Sequence, residues 1–548
     1  MTDKTRLITL SVIFALPFLI IYWLSAQAKP VPVTSVGSAN VACLSYAPYR
    51  LPGESPFRNQ GKVTPERIQT DLTLLREVTN CVRTYAVTEG LDAVPAIAKS
   101  LGMQVMLGIW ISRNHQENLS KISAALEVVN QYPESVRALI VGNEVLLRRE
   151  QTAARIAQYL QIAQQGTDVP VTYADVWEFW EMNSSLQDHV DFVTVHILPY
   201  WEDHPVAVGK SVAHIANTYQ HVTTIFPEKR VFIGETGWPS VGRMRGPARP
   251  GQVEQARFVR EFLAYAQRNE FSDYNLIEAF DQPWKRQLEG AMGGGWGLLS
   301  SNGVVKFPMS GPVAAYPDAL GRGLVWGGIA ALAIALTTVL FAGAAGANAH
   351  HLSRLLIGGA AGFIGGALLP AQITYMVQWN RNPSEWMAGS AIVVSGWLLI
   401  ALLPRLSPGQ PQPGIAHLRR QSDLLSTLWT AARLVILFGA TFMMVMHAFD
   451  ARYRGYPTML YLPAAVALIA ACLAGNGINR GAIEEKFLAG LSLLLVPIML
   501  WPEVPANCQS VWFAVTVVSL ALATLAPAAL RNNTNRPNSR PIAPNSAV

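Results

Sequence analysis

The chain has 548 residues, a mean hydropathy of +0.24 and only 14% charged residues, against about 25% in an average soluble domain. That balance argues against an ordinary soluble enzyme. The net charge of +6 is unevenly spread: residues 320–548 carry 14 Lys and Arg against 6 Asp and Glu, while 28 and 30 in the residues before them leave a small acidic excess. The basic surplus flanks apolar runs, as in the cytoplasmic loops of membrane proteins, so nucleic acid has no place among the expected partners.

In chain order, Lys4 and Arg6 precede an apolar run from Leu7 to Ala26. About 20 such residues span a bilayer, and the preceding charges keep the N-terminus in the cytoplasm. Ala26-Gln27-Ala28 also fits a signal-peptidase site, but the length of the run favours an uncleaved anchor over residues 1–29. Either way, the domain beyond this run is expected to be exported.

Residues 30–318 read as one globular domain. Short apolar strands are expected at Val41–Tyr46, Cys81–Tyr85, Gln104–Trp110, Ala138–Gly142, Val171–Asp175, Phe192–Ile197, Arg230–Gly234 and Leu276–Phe280. Helical patterns alternate with them: one opening at Thr64-Pro65, then 90–102, 115–131, 150–165, 176–187, 208–226 and 252–268. Near-continuous apolar strands between helices indicate a parallel sheet covered on its outer face. Eight such units indicate an α/β fold, a (β/α)8 TIM barrel. An open doubly wound sheet is the alternative, but no glycine-rich phosphate loop follows the first strand.

Chemistry in such barrels sits at the carboxyl ends of the strands. Those ends carry Tyr46, Arg83 with Tyr85, Trp110, Asn143 with Glu144, Asp175, His196 with Tyr200 and Trp201, Glu235, and Glu278 with Asp281, Trp284 and Lys285. Aromatic rings stack on the apolar faces of pyranoses while acids and amides bind hydroxyls, so this mouth suits a carbohydrate. Glu144 and Glu235 end the fourth and seventh strands, nearly across the mouth from each other. Two carboxylates about 5–5.5 Å apart divide the work of a retaining glycosidase: one attacks the anomeric carbon, and the other, its pKa raised, protonates the leaving oxygen. A lone strand-end glutamate would more simply cap a strand in a salt bridge; two, one preceded by Asn143, point to chemistry.

At these residues the sequence resembles glycoside hydrolase family 17, the β-1,3-glucanase and glucanosyltransferase family, over about residues 40–310. Val231-Phe232-Ile233-Gly234-Glu235-Thr236-Gly237-Trp238-Pro239-Ser240 is similar to its nucleophile signature, and Gly142-Asn143-Glu144-Val145 to its acid/base signature. Val82-Arg83-Thr84-Tyr85 resembles its second strand, and Glu278-Ala279-Phe280-Asp281-Gln282-Pro283-Trp284-Lys285 the eighth-strand segment of its microbial and fungal branch. The resemblance implies Glu235 as nucleophile, Glu144 as general acid/base, and Asn143 as the hydrogen-bond partner of the sugar 2-hydroxyl. It makes Tyr85, Trp201, Glu278, Trp284 and Lys285 candidates for sugar subsites, and Arg83 and Tyr200 join them from the same mouth. Trp238 is either a sugar platform or loop packing. The first strand, Cys43-Leu44-Ser45-Tyr46-Ala47-Pro48, is a looser version of the family's glycine-rich opening, and His196 and Trp201 in the sixth unit differ from the family's plant enzymes.

The arginines between Arg243 and Arg249 read as a solvated loop, with a site for an anionic group as the sharper alternative. His115, His189, His204, His214 and His221 show no ligand spacing, and neither a metal nor another cofactor is expected. Asn118-Leu119-Ser120 is a glycosylation sequon of no consequence without a glycosylating host. Of the four cysteines, Cys472 and Cys508 lie in the apolar half. Cys43 and Cys81 fall in neighbouring strands; a bridge is conceivable, but two buried thiols are the favoured reading.

Seven more apolar runs come after Pro317, near 324–346, 355–377, 386–403, 431–449, 458–475, 487–501 and 511–530, giving a transmembrane domain over 319–530 and a cytoplasmic tail over 531–548. With the barrel outside, the inside segments hold Arg354, Arg405, Arg419, Arg420, Arg480, Lys486, Arg531, Arg536 and Arg540. The outside loops hold only Arg381, Arg452 and Arg454. Eight spans with both termini inside satisfy that bias. Arg433 is expected to snorkel to the cytoplasmic face and His447 to lie near the outer one. Gly358-Gly359, Gly362 and Gly365-Gly366 suggest close helix packing, and Ser407–Gly414 a cytoplasmic linker.

The expected function is a membrane-anchored retaining glycosidase or transglycosylase acting on β-1,3-glucan. Its expected partners are a β-glucan, membrane lipid and, through the spans, a glucan synthase. Bacterial proteins joining this family's domain to a multispan tail resemble glucan-branching or β-(1→6)-glucan synthase factors. That implies an inner-membrane protein with a periplasmic barrel. The alternatives are a tethered endoglucanase and a glucan-binding scaffold of an export assembly; a transporter fits poorly, because the spans hold few polar residues.

Overall fold

The computed structural model describes residues 3–37, 40–57, 62–341, 349–406, 412–415, 423–473, 482–503 and 507–526. The expected C-terminal tail and the arginines at 419, 420 and 480 lie outside the described residues.

Eight strands, β1 (Leu44–Ser45), β2 (Cys81–Arg83), β3 (Gln104–Ile109), β4 (Val136–Asn143), β5 (Val171–Val176), β6 (Val193–His196), β7 (Val231–Thr236) and β8 (Tyr274–Leu276), close into a barrel in sequence order. All pairings are parallel, including β8 with β1. Alternation along the strands divides the apolar residues between two cores. In β4, Ala138 and Ile140 join Cys43, Cys81, Met106, Ala174, Phe192 and Phe232 in one cluster, the barrel interior. Leu139 and Val141 join the large cluster formed with the surrounding helices. Both faces are therefore buried, which is why these strands show no polar alternation. Helix starts match their caps: Thr64 before Pro65–Leu75, Asn114 before His115–Gln131 and Thr152 before Ala153–Gly166 each accept a backbone N–H of the first turn.

Two expectations need correction. The eighth strand ends at Leu276 instead of running to Phe280. Beyond it, Ile277 and Ala279 still donate to Thr236 and Ser45 of the barrel, while the backbone of Glu278, Ala279 and Asp281 also bonds to Trp296, Leu298 and Leu299, a segment outside it, so their polar groups are satisfied. Cys43 and Cys81 form a disulfide, not two thiols. The β1–β2 register sets Leu44 beside Val82, which brings the two preceding Cα atoms to 4.5 Å, within bridging range. Backbone pairing thus favours the bridge.

The remaining helices form a bundle: Asp3–Ala28, Ala319–Phe341, Ala349–Trp379, Pro383–Leu402, Leu424–Phe449, Thr458–Leu473, Ile483–Leu500 and Cys508–Leu525. Five of them are long and apolar enough to cross a membrane. The two connections between barrel and bundle lie side by side, with Val31 and Val313 exchanging backbone hydrogen bonds of 2.8 and 3.0 Å. Gly366 packs where a Cβ would come within 2.2 Å of the Trp326 carbonyl, so that glycine sets the approach of its helix to 319–341.

Arg433 does not snorkel. It is fully buried, paired with the equally buried Glu485 at 3.0 Å, and bonded to the side chain of Gln412 and the carbonyl of Pro413. A guanidinium with an acid and two further acceptors in reach has no reason to extend towards water. Pro413 and Gln412, at the end of the expected linker, are thus packed residues. His447 is also buried, with its ring nitrogens facing the Met443 and Gly455 carbonyls and its ring stacked on Tyr456.

Reducing Cys43–Cys81 releases a constraint between residues 38 apart, worth about 3–4 kcal/mol in the loop-entropy account. The Cys43→Ser/Cys81→Ser double variant should lower the thermal midpoint of the barrel, and reductant should lower the parent's midpoint to match. Equal midpoints with and without reductant would contradict the bridge.

Candidate active site

Glu144 comes directly after the last residue of β4 with φ of +53°, and Gly142 before it stands at +95°. This left-handed backbone is uncommon for a residue with a side chain. It marks the sharp turn at which the chain leaves the strand, and the side chain retains 24% exposure. Glu235, inside β7, is only 6% exposed in its side chain. An oxygen of each carboxylate and a ring nitrogen of His196 all lie within 4.8 Å of one another.

Arg83 organises this group from below. Its side chain is 1% exposed, and its two terminal nitrogens reach Glu235 Oε1 at 3.1 Å, the Gly234 carbonyl at 2.6 Å and Asn143 Oδ1 at 2.5 Å. Arginine only donates, so Asn143 must turn its oxygen to Arg83 and its amide NH2 towards the mouth. The Tyr85 hydroxyl donates to the same Glu235 oxygen at 2.8 Å and lies 2.8 Å from Ser45 Oγ. Burial first, and then the Glu235 charge, push the Tyr85 phenol well up, so it stays a donor.

His196 ends β6 and stands between the glutamates. Its Nδ1 is 3.1 Å from Glu144 Oε1, while Nε2 is 3.4 Å from Arg83 Nη1 and 3.7 Å from Glu235 Oε1. Facing a donor at Nε2, the neutral ring carries its proton on Nδ1 and donates to Glu144. Burial pushes the Glu144 carboxyl up. The His196 hydrogen bond and the charge that ring can carry, with Arg148 and Arg83, outweigh burial and hold the carboxyl below its ordinary range. The free site therefore departs from the expectation of a raised acid at this position, because of one imidazole.

Raised carboxyls surround the pair instead. Asp175 is pushed up to about 6 by burial, despite the Tyr173 hydroxyl, and the Glu144 charge adds to the rise. Glu278 is pushed up to about 7 by burial, against the opposing pull of Lys285 at 2.7 Å. Glu289 is raised by burial and by the charges of Glu144 and Glu235, with Lys285 opposing. The trio Glu144, His196 and Glu235 has the residue types of a metal site, but the two carboxylates address opposite nitrogens of one ring and Arg83 already occupies Glu235. The donor set reads as a coupled acid pair.

Trp284 and Trp201 stand at the rim, half-buried. Trp284 donates to Gln282 and meets the exposed Phe57 edge to face at 5.5 Å. Two of the expected subsite rings are not at the surface. Trp238 is 1% exposed, donates to the Arg249 carbonyl and packs on Phe258, so it is loop packing. Tyr200 is fully buried and donates to the Arg243 carbonyl. Its neighbour Trp201 takes the rim position, since adjacent residues point apart. Sequence reasoning misses three features of the site: His196 as the bridge between the glutamates, Glu289 and Arg148. The inward position of His196 is visible in its strand, Val193-Thr194-Val195-His196, where Thr194 and His196 share a face.

Residues 43–297 match the BtgE/BtgC glycoside hydrolase domain. The barrel is similar to glycoside hydrolases of family 17. Among its relatives, a glucan 1,3-beta-glucosidase of Schizosaccharomyces pombe is 29% identical over 263 residues, 44% of this chain and 79% of that protein. A probable family 17 glucosidase of Saccharomyces cerevisiae is 26% identical over 273 residues, 48% of this chain and 66% of that one. Among solved structures, a family 17 beta-1,3-glucanosyltransferase of Rhizomucor miehei aligns with 50% of this chain and 99% of its own at 24% identity, with a TM-score of 0.43. The family model lies within the barrel domain.

Replacing His196 by Ala removes the group that holds the Glu144 carboxyl down. An acid catalyst works while protonated, so a higher pKa should carry the alkaline limb of kcat/KM to higher pH. A limb that stays in place, measured across the pH range on one oligosaccharide, would mean that His196 does not set it.

Proposed function

We propose that this protein is a membrane-anchored retaining glycosidase or transglycosylase that acts on β-1,3-glucan, with Glu235 as nucleophile and Glu144 as general acid/base. The observation that carries the reading is the approach of the two carboxylates to within 4.8 Å. That fits the short spacing of retaining enzymes better than the about 6.5–9.5 Å between the carboxyls of inverting ones. The substrate class rests on the relatives, which are named for 1,3-β-linked glucan.

In the first step the Glu235 carboxylate attacks the anomeric carbon, while Glu144 gives its proton to the departing glycosidic oxygen. Arg83 and Tyr85 both donate to one Glu235 oxygen and aim the carboxylate. The Asn143 amide, freed by Arg83, is positioned to donate to the sugar 2-hydroxyl, a contact that strengthens in the transition state. In the second step Glu144 takes a proton from the acceptor, either water or a sugar hydroxyl, and the glycosyl–Glu235 ester is released. Attack by a sugar 6-hydroxyl would yield a β-1,6 branch. The barrel packs against residues 377–381, 451–456, 503 and 507–509, segments on the side read as external. Together with the Cys43–Cys81 bridge, this supports an exported catalytic domain.

The full chain in detergent, given reducing-end-labelled β-1,3-gluco-oligosaccharides, should release products with retained β configuration, read by proton NMR. Products longer than the substrate would establish transfer, and only shorter ones hydrolysis. Glu235→Ala should lower turnover by about 10⁴-fold or more. Inverted products, or an active Glu235→Ala variant, would overturn the mechanism.

A further inference from the structure

The barrel does not merely hang beside the bundle; its mouth is pressed onto the bundle's outer loops. Arg243, in the loop after β7, is buried among the Ala451 carbonyl, the Tyr456 hydroxyl and the Glu503 carboxylate. Its neighbour Met244 donates its N–H to Gln509 at 2.9 Å and accepts from Asn507 at 3.2 Å. Beyond β8, Arg286 and Gln287 donate to the Val377 and Arg381 carbonyls at 2.6 and 2.8 Å. The arginine loop, solvated by composition, is thus the main anchor, because its first arginine finds an acid and a phenol on the bundle.

This docking brings one bundle residue to the rim. Tyr453 meets Trp201 edge to face, with centroids 6.3 Å apart, and both rings remain half-exposed. Trp201 lies five residues beyond His196, which contacts both glutamates. On the other side, the Tyr453 carbonyl sits where a Cβ at Gly290 would come within 2.5 Å. Gly290 adjoins Glu289, whose carboxyl senses Glu144 and Glu235. Two guanidiniums converge on the ring pair, Arg245 at 4.9 Å from Trp201 and Arg452 at 5.4 Å from Tyr453. Their charges oppose one another, and among the described residues neither makes an ion pair. Half-exposed rings beside planar donors are the chemistry that holds a pyranose: C–H faces stack while hydroxyls accept.

We propose that Trp201 and Tyr453, with Arg245 and Arg452, form a distal sugar subsite with one wall from the barrel and the other from the bundle. The glucan chain then lies along the seam, and the membrane part is a component of the binding cleft. This rests on the proposed action on glucan and adds a part that the matched barrel does not contain.

The test uses the full chain carrying Glu235→Gln, so that oligosaccharides bind without turnover, with laminaritriose and laminarihexaose titrated by calorimetry. Tyr453→Ala should weaken hexasaccharide binding about tenfold and cut the preference for six sugars over three, and Tyr453→Phe should restore both. Trp201→Ala should have the same effect, and the double variant little more, because one subsite is lost once. Equal loss for both lengths, or unchanged affinity with a lowered melting midpoint, would make Tyr453 a docking contact and overturn the subsite. If the parent binds neither oligosaccharide, the glucan reading itself falls.

Discussion

One buried guanidinium holds the chemistry of this protein in place. Arg83 rises from β2 inside the barrel and ties the end of β4, through Asn143, to the end of β7, through Gly234 and Glu235. A cation sealed from water at 1% exposure demands compensation, and the nearest acid is Glu235. That demand has three consequences. Glu235 is held by one oxygen against Arg83, Asn143 presents its donor face to the mouth, and His196 is fixed in the tautomer that donates to Glu144. The two glutamates thus share one scaffold but not one environment.

Asymmetry between two like acids is what a double displacement requires. Glu235 takes hydrogen bonds from Arg83 and Tyr85 on one oxygen, whereas Glu144 pairs with the His196 ring. Around them Asp175, Glu278 and Glu289 are all pushed towards neutrality by burial.

Much of the molecule is legible in the sequence. All eight strands and the helices between them are marked by apolar runs alternating with capped helical periods, and the eight helices of the bundle by hydropathy alone. The meeting of Glu144 and Glu235 at the mouth is legible because residues at the carboxyl ends of barrel strands face a common mouth. The rest depends on contacts between distant residues, which local pattern does not encode. The Cys43–Cys81 bridge turns on a register set by strand pairing. The burial of Trp238 and Tyr200 turns on which of two adjacent rings faces inward after a bend. The pairing of Arg433 with Glu485, 52 residues away, and of Arg243 with Glu503, 260 residues away, joins segments with no shared periodicity. In each case an arginine that looks solvated by composition is buried because tertiary structure supplies its acid.

The central claim is that Glu235 forms a covalent bond to the sugar. Incubating the full chain with a 2-deoxy-2-fluoro-laminaribiosyl fluoride slows both steps but spares the leaving group, so the ester accumulates. Peptide mapping by mass spectrometry should find one added disaccharide on the peptide containing Gly234-Glu235-Thr236. Inactivation without a label, or a label on Glu144 or Glu278, would contradict the account.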